Sequence, residues 1–432
     1  MKVQTNISVP FNSCHLPVFI DISKDQLDYR VGLSDDESVY SSGRIVYRLQ
    51  AIYKWIDSLV RHFRLQGPDQ LEFICEPTGG LQYKLILVSQ KYQIPLRYVD
   101  SERMYNARMI TYGHAEKTDP KDPGAIRSLY LLGKSRLVRQ ADILQESVRA
   151  LSRQYEDVNQ QSISTRNRIH QLIGYVFPDY SKPASFTFSS SGQALAAEFG
   201  FCPQRMIEVG YEEFRRRMQG RVLRIRHQTT VQLWEQARRS VQVSDEDFSD
   251  PRSQYLEQLY EHWVYLEDQK AQLKKQLKEY AQICKDQGWI PRHLPGSVNA
   301  WMLIRVIAES GPFTNFSHVR QLWVYLGLKL AQRQSGKYKG QVKITKKGSP
   351  LARKLLYQMC LPLVKSNGWM RQVYDRQNPN HQNDGKGIRA ITVVMRKLVK
   401  VLFALQRSGK AFDPTRVGCC QSQYTATFKR SA

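Results

Sequence analysis

Leu16-Pro-Val-Phe-Ile-Asp-Ile-Ser and Leu71-Glu-Phe-Ile-Cys-Glu-Pro-Thr-Gly-Gly are the two stretches whose reading decides the fold of this chain. Each opens with a short apolar run of strand length and reaches a carboxylate, Asp21 in the first and Glu76 in the second. A buried strand that closes on an acid delivers that acid to the rim of a sheet. Two more acids, Asp119 and Asp122 in Lys117-Thr-Asp-Pro-Lys-Asp-Pro, stand three apart at an expected helix start, which puts them on one face. Carboxylates converging from separate elements repel one another unless a cation neutralises them. A pair of Mg²⁺ ions is the usual neutraliser in phosphoryl transfer. Taken singly, each acid reads as well as a cap or a solvated strand end. Taken together, they have the make-up of a two-metal nuclease site.

Working outward from those stretches, residues 16–23 and 27–34 read as strand, turn and strand, with a third strand near 38–47. An amphipathic segment follows from Leu49 to Phe63, then a strand at Leu71–Cys75, a helix at Gly80–Tyr92 and a strand at Leu96–Val99. Ser101 suits the N-cap of a helix through Met109, and the helix carrying Asp119 and Asp122 is expected to reach about Leu132. Strands first, then strands alternating with helices, indicate an α/β layer fold. Acids at two strand ends and on a late helix make an RNase H-like sheet the expected form.

Beyond Leu137 the pattern turns helical to Val176, and the Ser-, Pro- and Gly-rich stretch 178–200 reads as a linker. Between 256 and 284 a 3-4 alternation runs through Leu256, Leu259, Trp263, Leu266, Lys270, Leu273, Leu277, Tyr280 and Cys284. It is expected to form a coiled coil within the chain or between subunits, against the alternative of a helix packed on its own domain. Helices are also expected at about 299–308, 351–364 and 388–405, with a further apolar segment at Gln321–Leu328. The expected organisation is a catalytic α/β domain at 1–135, a helical and coiled-coil middle at 136–290, and a mainly helical basic domain at 291–425.

The net charge of +25 is very unevenly spread: residues 1–150 contribute +3, residues 151–290 contribute +1 and residues 291–432 contribute +21. A polyanionic partner is expected, gripped by the last third of the chain while the acids sit in the first. Seven cysteines at 14, 75, 202, 284, 360, 419 and 420 show no C-x-x-C spacing, which argues against a zinc site and suits reduced thiols in a cytoplasm. No stretch approaches the ~20 apolar residues of a membrane span, and no secretory leader is expected.

In their joint order, these motifs resemble the DEDD transposases of the insertion-sequence "one-ten" group, relatives of the pilin-inverting and bridge-RNA-guided recombinases. Phe19-Ile-Asp-Ile-Ser-Lys-Asp is similar to that family's opening strand, Glu76-Pro-Thr-Gly to its second acidic motif and Lys117-Thr-Asp-Pro-Lys-Asp to its paired aspartates. Arg166-Asn-Arg-Ile-His-Gln-Leu-Ile resembles the helix that follows. Leu294-Pro-Gly, Tyr325-Leu-Gly-Leu, Ser335-Gly336 and Lys347-Gly-Ser-Pro-Leu-Ala-Arg resemble the second transposase domain in order and spacing. The resemblance implies a RuvC-like domain in which Asp21, Glu76, Asp119 and Asp122 hold two Mg²⁺ ions, and a nucleophilic serine at Ser335 in the second domain. Ser349, followed by Pro350, reads more simply as a helix cap. Lys337, Lys339, Lys343, Lys346, Lys347 and Arg353 surround the serine and are the expected phosphate contacts, a solvated face being the alternative. Two departures stand out: Asp122 is followed by Pro123-Gly124 where the family carries helix formers, and Leu294-Pro-Gly lacks a second glycine.

The implied activity is DNA strand cutting and rejoining by a dimer or tetramer in a prokaryotic cytoplasm, at the nucleoid, and the resemblance admits a structured guide RNA. Two other readings share parts of the evidence. A junction-resolving nuclease would use the four acids without Ser335 or the basic domain. A non-catalytic nucleic-acid-binding protein would use the charge and leave the acids without a role.

Overall fold

The computed structural model describes residues 15–33, 41–77, 80–99, 103–104, 107, 122–138, 140–222, 225–243, 251–331, 334–335, 338–339, 343–365, 368–379 and 385–413. The chain divides into two compact units, Met1–Ile143 and Leu144–Ala432.

The first unit is built on six strands: β1 (Leu16–Ile22), β2 (Gln26–Val31), β3 (Ser41–Val46), β4 (Leu71–Cys75), β5 (Leu96–Val99) and β6 (Ser135–Leu137). Their order across the sheet is β3-β2-β1-β4-β5-β6. The β1–β2, β2–β3 and β5–β6 pairs are antiparallel, whereas β1–β4 and β4–β5 are parallel. β1 and β4 are central and buried on both sides, which is why they read as largely apolar runs rather than alternating ones, broken by Asp21 in β1 and by the paired Glu72 in β4. On one face Val18, Ile20, Phe73, Cys75 and Tyr98 pack with Ile52, Trp55 and Ile56 of the Leu49–His62 helix and Leu85 and Val88 of the Tyr83–Tyr92 helix. On the other, Phe19, Ile74 and Val99 meet Ala125, Ile126 and Leu129 of the helix Asp122–Leu131. Pro123 sits in the first turn of that helix, where its missing N–H costs nothing. The short edge strand β6 has no counterpart in the sequence reading, because three residues carry too little periodicity to register.

Within the second unit, described residues form a helical core and a helical basic end. The stretch read as a linker, 178–200, instead holds the helices Ala184–Thr187 and Ser190–Phe199. Its Ser and Gly content serves helix ends: Ser189 caps the second helix by accepting from the Gly192 N–H at 3.4 Å. A Cβ on Gly192 would lie 2.0 Å from the Thr187 carbonyl, so only glycine lets the helices approach this closely. The heptad residues Leu256, Leu259, Trp263, Leu266, Leu273, Leu277 and Cys284 lie on the helix Pro251–Asp286 and are buried within the chain itself. Leu256, Leu259, Tyr260 and Trp263 close a core with Ile169, Ile173, Phe199, Phe214 and Leu233. Lys270, the polar interruption, pairs with Glu267 at 2.8 Å.

A buried ionic cluster ties three helices of this unit together. Arg305, on Ala300–Ser310, donates to Ser152 Oγ at 3.0 Å and to Glu156 Oε2 at 3.0 Å, both on the long helix Gln140–Val176. Its guanidinium lies over Tyr155 at 4.6 Å, and Glu156 also pairs with Lys354 of the helix Pro350–Leu363. Burial lowers the Arg305 pKa, and Glu156 opposes that shift. Gln145 and Arg149 donate to the Ala308 carbonyl at 3.0 and 2.9 Å, satisfying the last turn of Ala300–Ser310.

Two motif segments interlock through their glycines. Gly327 has φ +69° and Gly348 φ +129°, both in the region that favours glycine. A Cβ on Gly348 would lie 2.2 Å from the Tyr325 carbonyl, and one on Gly327 would lie 2.6 Å from the Lys347 carbonyl. Arg353 seals the junction by donating to the Gly348 carbonyl at 2.9 Å and the Leu326 carbonyl at 3.4 Å.

Two stability outcomes follow from these contacts. Glu156→Gln leaves the Arg305 charge buried with its counter-ion gone and should cost about 2–4 kcal/mol in denaturant unfolding. Gly348→Ala adds a backbone clash to a left-handed conformation. It should cost at least about 1–3 kcal/mol, measured the same way, whereas Gly409→Ala, with open space around it, should cost less.

Candidate functional site

Strand register brings the first two acids together. In the parallel β1–β4 pair Ile20 is level with Cys75, so one step further Asp21 is level with Glu76. Neighbouring strands lie about 4.8 Å apart, which makes these acids direct neighbours at the carboxyl ends of the two central strands. Alternation also fixes their face. Phe19 and Ile74 belong to the core beneath the helix Asp122–Leu131, and Asp21 and Glu76 follow each of them by two, on the same side.

The helix supplies the third acid by running antiparallel to β4. Its Tyr130 hydroxyl donates to Glu72 Oε2 at 2.8 Å, and the Tyr130 ring meets Phe19 edge-on at 5.6 Å. Going back from Tyr130 to Asp122 the helix rises about 12 Å, and from Glu72 to Glu76 the strand rises about 13 Å. On those rises, a helix antiparallel to β4 would begin near the level of Asp21 and Glu76. Asp122 is 1% exposed. Asp119 lies outside the described residues.

The same row of the sheet holds two more charged residues. Asp28 is directly opposite Asp21 across the β1–β2 pair, and Arg44 is directly opposite Asp28 across β2–β3. Arg44 Nε donates to Asp28 Oδ1 at 2.8 Å. Directly opposite residues point to one face, so Arg44, Asp28 and Asp21 form a line across three strands, which the β1–β4 register continues toward Glu76, the residue that follows β4. Neither Asp28 nor Arg44 was singled out from the sequence. A signal was present, because Asp21 and Asp28 are equidistant from the Lys24-Asp25 turn that Ser23 and Gln26 close.

Asp21, Glu76, Asp28 and Asp122 offer carboxylate oxygens, while the Cys75 thiol belongs to the core on the other face, and that donor chemistry suits a hard divalent cation. Among the described residues, no three His, Cys, Asp or Glu side chains are already drawn together as a metal-holding group. The register brings the acids to one place; it does not close them round a point.

In the second unit, Ser335 ends the two-residue strand Gln334–Ser335, which pairs antiparallel with Tyr338–Lys339 so that Ser335 is level with Tyr338. The connecting residues Gly336 and Lys337 lie outside the described residues. Lys343 is in the strand Lys343–Ile344, paired with Leu330–Ala331. Lys346 and Lys347 are exposed beside it, and the Lys346 backbone, at φ +55°, donates to the Gly327 carbonyl at 3.1 Å. Ser349 caps the helix Pro350–Leu363, its hydroxyl accepting from the Ala352 N–H at 3.2 Å. Arg353 is held by backbone carbonyls of the glycine junction, a structural role that competes with its expected contact to phosphate.

No helix among the described residues is long and apolar enough to cross a membrane. No curated protein matches the chain. Two family profiles do, and together they cover more than half of it. One, described as "Transposase" and of the DEDD IS110 type, matches residues 18–178, spanning Asp21, Glu76, Asp119 and Asp122. The other, described as "Transposase IS116/IS110/IS902 family", matches residues 294–375, spanning both interlocked glycines and Ser335. A sheet with acids at the ends of its central strands falls under the first profile and the glycine-locked basic helices under the second, in the order the sequence motifs require: the chain belongs to the IS110 group of insertion-sequence transposases.

Proposed function

We propose that this transposase cuts and rejoins DNA strands with metal-bound carboxylates in an RNase H-like, RuvC-like domain and a serine nucleophile in its basic domain. The observation that carries the reading is the alignment of Asp21, Glu76 and the start of the Asp122 helix at one end and one face of the sheet. The strand order, with an antiparallel β3-β2-β1 half and a parallel β1-β4-β5 half, supports the fold assignment. The proposed organisation keeps three parts: 1–135 catalytic, 136–290 helical and 291–425 basic.

Asp21, Glu76, Asp122 and, by the sequence pattern, Asp119 would hold two Mg²⁺ ions. Bound there, the ions supply neutralisation of the scissile phosphate and stabilise the oxygen that leaves. The protein's own part is the nucleophile. Ser335 Oγ bonds to the phosphorus, the bond from phosphorus to the leaving deoxyribose oxygen breaks, and the serine proton ends on that oxygen. The resulting phosphoserine ester conserves the energy of the phosphodiester, so a second DNA hydroxyl can displace the serine and restore the strand. Hydrolysis would discard that energy.

The +21 charge of residues 291–432 provides the affinity for phosphates, with Lys337, Lys339, Lys343, Lys346 and Lys347 as contacts around the serine. A dimer or tetramer is proposed because exchange must hold two duplexes at once. The heptad face of Pro251–Asp286, already buried within the chain, is not needed for that assembly. A structured RNA carrying the target sequence is compatible with the same basic surface.

Two outcomes test the reading. Asp21→Asn, Glu76→Gln and Asp122→Asn should each abolish cleavage of a labelled DNA substrate, while filter binding stays within about twofold because the binding charge lies elsewhere. Undiminished cleavage by any of them would misplace the acidic site. Ser335→Ala should eliminate the protein–DNA adduct that protease digestion and mass spectrometry recover from a trapped reaction. Recovery of an adduct at Ser349, or clean hydrolysis by Ser335→Ala, would shift the chemistry, the second toward a junction-resolving nuclease.

A further inference from the structure

Asp28 is buried, at 7% exposed, and stands directly opposite Asp21 on the neighbouring strand. Like charges directly opposite in an antiparallel pair are destabilising. Structure alone would therefore favour a neutral residue at position 28. Arg44 offsets the cost through its bond of 2.8 Å to Asp28, but the two partners are not equally placed. The Arg44 side chain is 46% exposed on the edge strand β3, so water and salt screen its charge, whereas the Asp28 side chain is 10% exposed and faces the acidic row. At the position of Asp21 and Glu76 the pair thus leaves a net negative field.

We infer that Asp28 and Arg44 form a charge-balancing pair that sets how tightly this end of the sheet holds its divalent cation, Asp28 strengthening the hold and Arg44 weakening it. The inference rests on the reading of Asp21 and Glu76 as cation ligands. Both residues act through the field at those ligands, so they are positioning residues. A unit charge about 6 Å from a divalent ion changes its affinity by about tenfold even at the dielectric constant of water. Arg44, one strand further away, should have a smaller effect of opposite sign. With no cation bound, Arg44 keeps the repulsion between Asp21 and Asp28 from opening the strand pair.

The test is a Mn²⁺ titration of the full chain without DNA, followed by the electron paramagnetic resonance signal of free Mn²⁺. Asp28→Asn should weaken binding by about tenfold, and Arg44→Gln should tighten it by about twofold to fivefold. The double variant should bind about twofold to fivefold more weakly than the parent, the product of the two single effects, because the pair that is removed carries a net negative field. A purely structural pair would behave differently, both single variants losing affinity in step with a lower melting temperature. Arg44 is on an exposed edge, so Arg44→Gln decides the matter even if Asp28→Asn fails to fold: unchanged or weaker Mn²⁺ binding overturns the inference. Asp21→Asn separates the two levels of failure. If it leaves Mn²⁺ binding intact, the metal-site reading itself is wrong. If it removes binding while the Asp28 and Arg44 variants shift it together or not at all, that reading stands and the charge-balancing role falls.

Discussion

Parallel pairing of β1 with β4 in the observed register is the constraint on which the acidic site depends. Side chains alternate strictly along a strand, so a slip of one residue in β4 would send Glu76 to the face occupied by Trp55 and Leu85 and bring Glu72 out of reach of Tyr130. The register is held from both sides. Val18, Ile20, Phe73 and Cys75 fill one core, while Phe19 and Ile74 fill the other. A strand whose two faces are both apolar gains nothing from a slip in packing alone. The polar residues decide it, because Glu72 finds Arg97 at 2.7 Å and Tyr130 at 2.8 Å only in this register. Glu72 and Glu76, four apart on one strand face, thus have different tasks. The first is neutralised and anchors the far end of the Asp122 helix; the second is at the rim, where charge can be used.

The second unit solves a different problem, which is how a strongly basic segment packs at all. Part of its answer is a buried acid. Residues 291–432 contain only four acids, and one of them, Glu309, is buried and bonded to Arg153 at 3.2 Å. Glu156 receives both Arg305 and Lys354. Cations that serve the fold are thereby consumed by carboxylates, aromatic rings or carbonyls, and Arg353 and Arg396 follow the same pattern, the latter lying 4.3 Å over Trp323. Arginine fits these places because its planar guanidinium donates in several directions and is weakly hydrated. Lys346 and Lys347, by contrast, are exposed. Counting basic residues therefore overstates the surface available to nucleic acid.

The glycine junction shows how motif and mechanics meet in this unit. Gly327 in Tyr325-Leu-Gly-Leu and Gly348 in Lys347-Gly-Ser-Pro are 21 positions apart, yet each glycine makes room for the other segment's backbone. The junction fixes the base from which the strands Leu330–Ala331 and Lys343–Ile344 extend toward the stretch that contains Ser335. Placing a small residue at such a contact is a backbone requirement, independent of any chemistry that the intervening stretch performs.

Much of this was legible in the amino-acid sequence. The strands at 16–23, 71–75 and 96–99 and most helices stand close to where periodicity put them, because hydrophobic spacing is local and survives folding. The acids Asp21, Glu76 and Asp122 could be named from their places at strand ends and a helix start, and the charge asymmetry from simple position. What the sequence left open was pairing. Only the sheet order makes Asp21 and Glu76 neighbours, and only the hairpin register sets Asp28 against Asp21 and Arg44. The heptad run of 256–284 was equally readable as a seam between subunits or as an internal face. Tertiary packing buries that face within the chain, its first part against Phe199, Phe214 and Leu233. The serines and glycines of 178–200 were misread for the same reason: a cap and a linker have one composition, and only the element that packs against them tells the two apart. Local periodicity is written in neighbouring residues, but register, partner and burial are settled by segments far away along the chain.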